Sequence, residues 1–144
     1  MNWKEEAKHE LRNYRALQAA CENIPLRLQA IRASKTSIKS SGDATPVQGG
    51  SNHYEDRLLD LIVEEERLRH TLKANRIRLA LIERGLSVLS DTERTVALTF
   101  AEHRSGAAVD LLADQIDREA AQIYRIWNTA LYKFTLAEYG ITEY

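Results

Sequence analysis

Apolar residues along the first third of the chain fall into one repeating row. Trp3, Ala7, Tyr14, Leu17, Cys21, Ile24, Leu28 and Ile31 follow each other at steps of four and three, with Glu10 filling one position. That spacing is the heptad seam of a long helix, predicted over about Asn2 to Ala33. Pro25 sits inside it. A proline removes a backbone donor and crowds the preceding turn, so a kink or break is expected near Asn23-Ile24. A second row, Leu58, Leu61, Glu65, Leu68, Leu72, Asn75, Leu79, Ile82 and Leu86, predicts another long helix from about His53 to Gly85. Glu65 and Asn75 are polar members of that row and are expected to fix register or partner choice. Each seam needs a cover. The two helices fold back on each other as an antiparallel hairpin, or two chains associate through the seams.

Between the rows lies Ser34 to Asn52, rich in Ser, Thr and Gly, which reads as a long loop. Gly85 reads as a helix stop. After it the predicted helices are shorter. Ser90 or Asp91 can cap a helix running to about His103, with Val96, Leu98 and Phe100 inward. A turn at Arg104-Ser105-Gly106 follows, then a short helix from about Ala108 to Gln115 burying Val109, Leu112, Ala113 and Ile116. The last helix, about Glu119 to Tyr139, buries Ile123, Ile126, Ala130, Leu131 and Phe134. Three short helices with the last the longest have the pattern of a helix-turn-helix. The expected fold class is all-α: a helical hairpin over 1–86, with its loop at 34–52, followed by a tri-helical domain over 87–144.

Composition narrows the classes of function. At 144 residues, with 44% hydrophobic and 28% charged residues, the chain can build a packed core. Its one cysteine excludes an internal disulfide and any multi-cysteine zinc site. No apolar run reaches the ~20 residues of a membrane span, and the opening Met1-Asn2-Trp3-Lys4-Glu5-Glu6 has no signal-peptide core. A cytoplasmic location without membrane contact is expected. The four histidines lack metal-ligand spacing. There is no phosphate-cradling glycine loop and no nucleophile with a paired base, so neither a cofactor nor an enzymatic activity is expected.

The residues of the last third carry a family resemblance. Leu89-Ser90-Asp91-Thr92-Glu93-Arg94, Leu112-Ala113-Asp114-Gln115-Ile116, Ala121-Gln122-Ile123-Tyr124-Arg125, then Ala130-Leu131 and Phe134, stand in an order that resembles region four of bacterial sigma factors. Thr36-Ser37-Ile38, Thr45-Pro46-Val47-Gln48-Gly49-Gly50 and Glu55-Asp56-Arg57 are similar to the loop of sigma-like regulators carried by phages and prophages. The resemblance implies a transcriptional regulator that binds double-stranded promoter DNA and activates late genes with bacterial RNA polymerase. Two positions depart from the pattern. Asp117 stands where the family has a turn glycine, and Arg118 where it has an apolar residue. The connection from Glu102 to Ala108 also reads longer than in sigma factors.

In such a fold the start of the last helix faces base edges in the major groove. The outward positions opposite its apolar stripe are Ala121, Gln122, Arg125, Asn128 and Thr129. Gln pairs bidentately with adenine and Arg with guanine, which makes Gln122 and Arg125 the candidate readers. Arg118, Asn128 and Lys133 are placed nearer the phosphates. The bland reading of the same residues is a solvated helix face. Trp127 and Tyr124 could stack on bases, but such aromatics more often belong to a core.

Charge complicates this picture. Residues 1–85 carry a net +3 and residues 86–144 a net −4. The expected DNA reader is thus the acidic part, and phosphate neutralisation supplies most DNA affinity. Weak binding by that domain alone follows. The basic runs Arg27, Arg32, Lys35, Lys39 and Arg67, Arg69, Lys73, Arg76, Arg78, Arg84 could supply the missing backbone contacts, or meet acidic patches on polymerase. The competing function is a helical protein-interaction adapter that has lost autonomous DNA binding.

Overall fold

A computed structural model describes residues 1–42 and 53–141. Among the described residues the chain is all-helical: α1 (Trp3–Gly42), α2 (His53–Ser87), α3 (Asp91–Glu102), α4 (Ser105–Ile116) and α5 (Ala120–Tyr139). None of these helices is long and apolar enough to cross a membrane. Contacts group the chain into two compact units, one of residues 1–16 and 78–144, the other of residues 17–77. This grouping differs from a division at residue 86, because the start of α1 joins the C-terminal helices.

Four sequence expectations are corrected. The helix predicted to break near Asn23-Ile24 continues through Pro25. Proline leaves the Cys21 carbonyl without its helical donor, but Ile24 and Leu28 on either side are buried with Leu68 and Leu72 of α2, and Cys21 and Ile31 pack against them. That packing holds the turn. Residues 34–42, expected as loop, belong to α1; the remainder of that loop, 43–52, lies outside the described residues. Serine and threonine normally compete with helical backbone. Here the Thr36 hydroxyl donates to the Arg32 carbonyl at 3.0 Å and the Ser40 hydroxyl to the Thr36 carbonyl at 3.0 Å, which keeps them within the helix. Ile38 is buried, and Lys35 reaches Glu65 at 2.5 Å.

Gly85 does not stop α2, which runs on to Ser87. It is buried, and a Cβ there would lie 2.7 Å from Cε2 and 2.8 Å from Cδ2 of Phe134. The glycine is therefore a place of close approach between α2 and α5. The fourth correction concerns α4, which begins at Ser105 rather than Ala108. The connection from α3 is thus only His103-Arg104, shorter than the sequence suggested.

In the unit of residues 1–16 and 78–144, Val96, Phe100, Ala108, Leu112 and Ile123 form a buried cluster, with Val109, Ala113, Ile116, Ile126 and Trp127 packed against it. These are nearly the residues the apolar pattern selects. Leu11, which the heptad row omits, is also buried, and Trp3 meets Tyr139 with ring centroids 4.9 Å apart. In the other unit, Glu65 is buried, paired with Lys35 of α1 and with Arg69 of its own helix. Its carboxyl is held below the ordinary carboxylate value mainly by the Lys35 hydrogen bond, against the opposing effect of burial. A buried carboxylate tied to a cation on the facing helix tolerates few alternative alignments.

Candidate nucleic-acid interface

The candidate readers stand on α5, and α3 and the turn before α5 fix how that helix is presented. Ser90 caps α3. Its hydroxyl accepts the Glu93 backbone N–H at 3.2 Å, and its own backbone N–H donates to Glu93 Oε1 at 3.0 Å. This reciprocal pair satisfies two otherwise orphaned donors. Glu93 also receives Lys133 of α5, whose Nζ lies 3.0 Å from Oε1 and 2.9 Å from Oε2. One carboxylate therefore caps α3 and pins α5 to it. Burial raises the Glu93 pKa, but the Ser90 backbone, Lys133 and the Ser90 hydroxyl together bring it below its ordinary value.

Between α4 and α5 the chain turns in three residues. Asp117 has φ 52° and ψ 54°, the left-handed conformation, and Arg118 and Glu119 follow. Glycine has no steric cost there; Asp tolerates the region better than most other residues. Asp117 thus adopts a backbone conformation that glycine takes most readily. Arg118 is exposed rather than inserted into the core, so the charge at that position costs no desolvation.

Ile123, Ala130, Leu131, Phe134 and Thr135 of α5 are buried. Thr135 is satisfied locally, its hydroxyl donating to the Leu131 carbonyl at 2.6 Å. With these positions inward, Ala121, Gln122, Arg125, Asn128, Thr129 and Lys133 are all exposed. Gln122, Arg125 and Thr129 stand at i, i+3 and i+7 and so share one face. The structure brings the candidate readers together on that face. It separates Lys133 from them in one respect, since its charge is already matched by Glu93.

Trp127 belongs to the core side. Its ring stacks on Phe100 with centroids 5.0 Å apart and planes 2° from parallel, while Tyr124 meets Phe100 at 5.7 Å and 59°. Sequence reasoning missed Tyr132 and Leu136, which extend the exposed face of α5 at 48% and 44% exposure. They lie seven and eleven residues after Arg125, and that count alone could have found them. Several cations of the basic runs are internally matched: Arg67 with Glu64, Arg69 with Glu65, Arg78 with Glu10 and Lys35 with Glu65. The unit containing α5 has eleven Lys/Arg and thirteen Asp/Glu once Met1–Ala16 is included. It is less acidic than the C-terminal stretch alone. Asp114, Asp117 and Glu119 are exposed around the start of α5, which favours the helix dipole but opposes a phosphate there. Compared with protein-family models, curated proteins and solved structures, the chain matches none.

Proposed function

We propose that α3, α4 and α5 form a sigma region four-like helix-turn-helix, and that the protein is a phage- or prophage-type transcriptional regulator. It reads promoter DNA with the outward face of α5 and works beside bacterial RNA polymerase. The observation that carries this reading is the exposed row Gln122, Arg125, Asn128 and Thr129 on a helix entered through a three-residue turn with left-handed Asp117. Arg125 is the guanine reader and Gln122 the adenine reader. Arg118, which precedes the helix, serves the backbone. With Lys133 matched by Glu93, phosphate contacts from α5 are few, so affinity is low and strongly dependent on polymerase or on a second copy.

The test is binding of the full chain to fragments of its own late promoter region, at low and physiological salt, with and without polymerase. Arg125→Ala should relax sequence preference at one base pair by ~1–3 kcal/mol. Absence of salt-sensitive binding to every fragment under all four conditions would refute the reading.

A second reading, the protein-interaction adapter, is favoured by Leu59, Ile62 and Val63 of α2, which are 59%, 45% and 59% exposed. A protein partner or a second copy of the chain would cover them. The paired substitution Leu59→Asp and Val63→Asp should abolish such an association while leaving the melting temperature unchanged. Leu72, by contrast, is buried with Ile24 and Leu28, so Leu72→Asp would unfold the unit rather than report on an interface. If the Leu59/Val63 variant keeps all activity and its oligomeric state, this second reading fails.

A further inference from the structure

Positive charge also gathers in the unit containing α5, away from the exposed row of that helix. A cleft of about 400 Å³ in the same unit is lined by Lys8 and Arg12 of α1, by His103 and Arg104 of the α3–α4 connection, and by Phe100 and Trp127. α4 begins in its wall. Arg104 is the N-cap of α4 and makes no side-chain capping bond, and the first turn of that helix contains no acidic residue. α3 in the same chain is closed by Ser90 and Glu93 with Asp91 beside them. A helix start carries about half a positive charge and four N–H groups without helical partners, and a cation at the cap is the unfavourable choice there.

The acids that could offset this charge are committed elsewhere. Glu102, which also lines the cleft, is paired with Arg15 at 2.5 Å. Glu5 is held by Lys8 at 2.9 Å, and its carboxyl is lowered by the hydrogen bond and charge of Lys8, with a smaller through-space effect of Arg12. Arg12 and Arg104 have no ion pair among the described residues. Two unmatched guanidinium groups, a histidine and a helix N-terminus thus face one concavity. Two unpaired guanidinium charges beside a helix start favour a bound anion. Guanidinium groups match phosphate oxygens in geometry as well as charge.

We infer that this cleft is a binding site for a phosphate ester, held by Arg12, Arg104 and the first N–H groups of α4. Two sources carry this chemistry: a duplex backbone, or a free nucleotide whose base would meet the Phe100–Trp127 stack. The site does not depend on the reading of α5 as a reader of bases.

Trp127 lines the cleft, so its fluorescence reports occupancy. Trp3→Phe leaves it as the sole tryptophan. In that background the full chain is titrated with inorganic phosphate, with a mononucleotide, and with a duplex of scrambled sequence. The comparison is the Arg12→Gln/Arg104→Gln variant. Both positions are exposed, and circular dichroism melting verifies that the variant is folded. We expect a saturable Trp127 signal with at least one probe, weakened tenfold or more in the variant. A response to the duplex alone assigns the phosphate to the backbone, and the salt slope of duplex binding should then fall by about two. A response to the mononucleotide alone assigns it to a free ligand. No response to any probe, or a response unchanged in the variant, overturns the inference. Gln122→Ala/Arg125→Ala separates the two sites. If it abolishes duplex binding while the arginine variant does not, the α5 reading stands and the duplex is excluded as the cleft's source of phosphate. If the cleft signal persists where no duplex binding is found, the cleft stands and the α5 reading fails.

Discussion

Replacing Gly85 by alanine sets helix propensity against packing within one side chain. An interior helical Gly→Ala change gains up to ~1 kcal/mol in propensity. At this position the new Cβ would stand 2.7 Å and 2.8 Å from two ring carbons of Phe134. Ordinary carbon contacts lie at about 3.5–4.0 Å, so the overlap is roughly 0.8 Å. The ring cannot swing into solvent, because Phe134 is fully buried. Overpacking of this kind costs about 1–3 kcal/mol, which outweighs the propensity gain. Gly85→Ala should therefore destabilise the protein by about 1–2 kcal/mol, read as a fall in melting temperature of roughly 3–8 °C. Gly106→Ala is the control. It sits in the first turn of α4 with nothing within 4 Å of its Cβ, and should be neutral or stabilising by up to ~0.5 kcal/mol. Shrinking the opposing side chain completes the cycle. Phe134→Leu alone should cost ~1–2 kcal/mol, but in combination with Gly85→Ala the two costs should sum to at least ~0.5 kcal/mol less than their separate values. A Gly85→Ala variant more stable than the parent, or strict additivity in the cycle, would refute the close-approach argument.

Two further predictions concern titration. Glu93 has a lowered folded pKa, so its contribution is present above its ordinary value of 4.5 and is lost as pH falls through the lower folded value. Glu93→Gln should accordingly destabilise by ~1 kcal/mol at pH 7, measured by thermal melts, with the difference from the parent shrinking below pH 4.5. A difference that is independent of pH would refute the assignment. Glu138 behaves oppositely: burial, then the Glu10 charge, push its carboxyl up to about 7, against the opposing effect of Arg78. An acid with a raised folded pKa costs stability as pH rises from about 4.5 through about 7. Glu138→Gln should match the parent near pH 4.5 and exceed it at pH 8 by ~1–2 kcal/mol, a figure discounted for partial exposure. A variant less stable than the parent at pH 8 would sink that reading.

Features written in neighbouring residues were legible in the sequence. The capping box at Ser90 and Glu93 needs only an i, i+3 spacing. The exposed face of α5 follows from a 3.6-residue period and a set of apolar positions. Each is settled within a turn or two of helix, where spacing along the chain equals distance in space. The helical character of 34–42 is also partly visible in the sequence, because Lys35 and Ile38 continue the four-and-three row beyond Ile31. What overrode the pattern was serine content, and serine's competition with the backbone is undone when its hydroxyl bonds the preceding turn.

The remaining features depend on distance between residues far apart in the chain. Gly85 has a stop signal's identity, and only the ring of Phe134 shows that its missing Cβ is needed for room. Pro25 breaks a helix in isolation, and only Ile24 and Leu28 seated with Leu68 and Leu72 offset the lost bond. Arg12 and Arg104 are ninety-two residues apart and look like two unremarkable surface cations until the fold places both on one cleft. Local periodicity determined which face of each helix is apolar. Tertiary packing decided which of the remaining charges are matched within the protein and which are not, because an ion pair depends on three-dimensional neighbours that spacing along the chain does not specify.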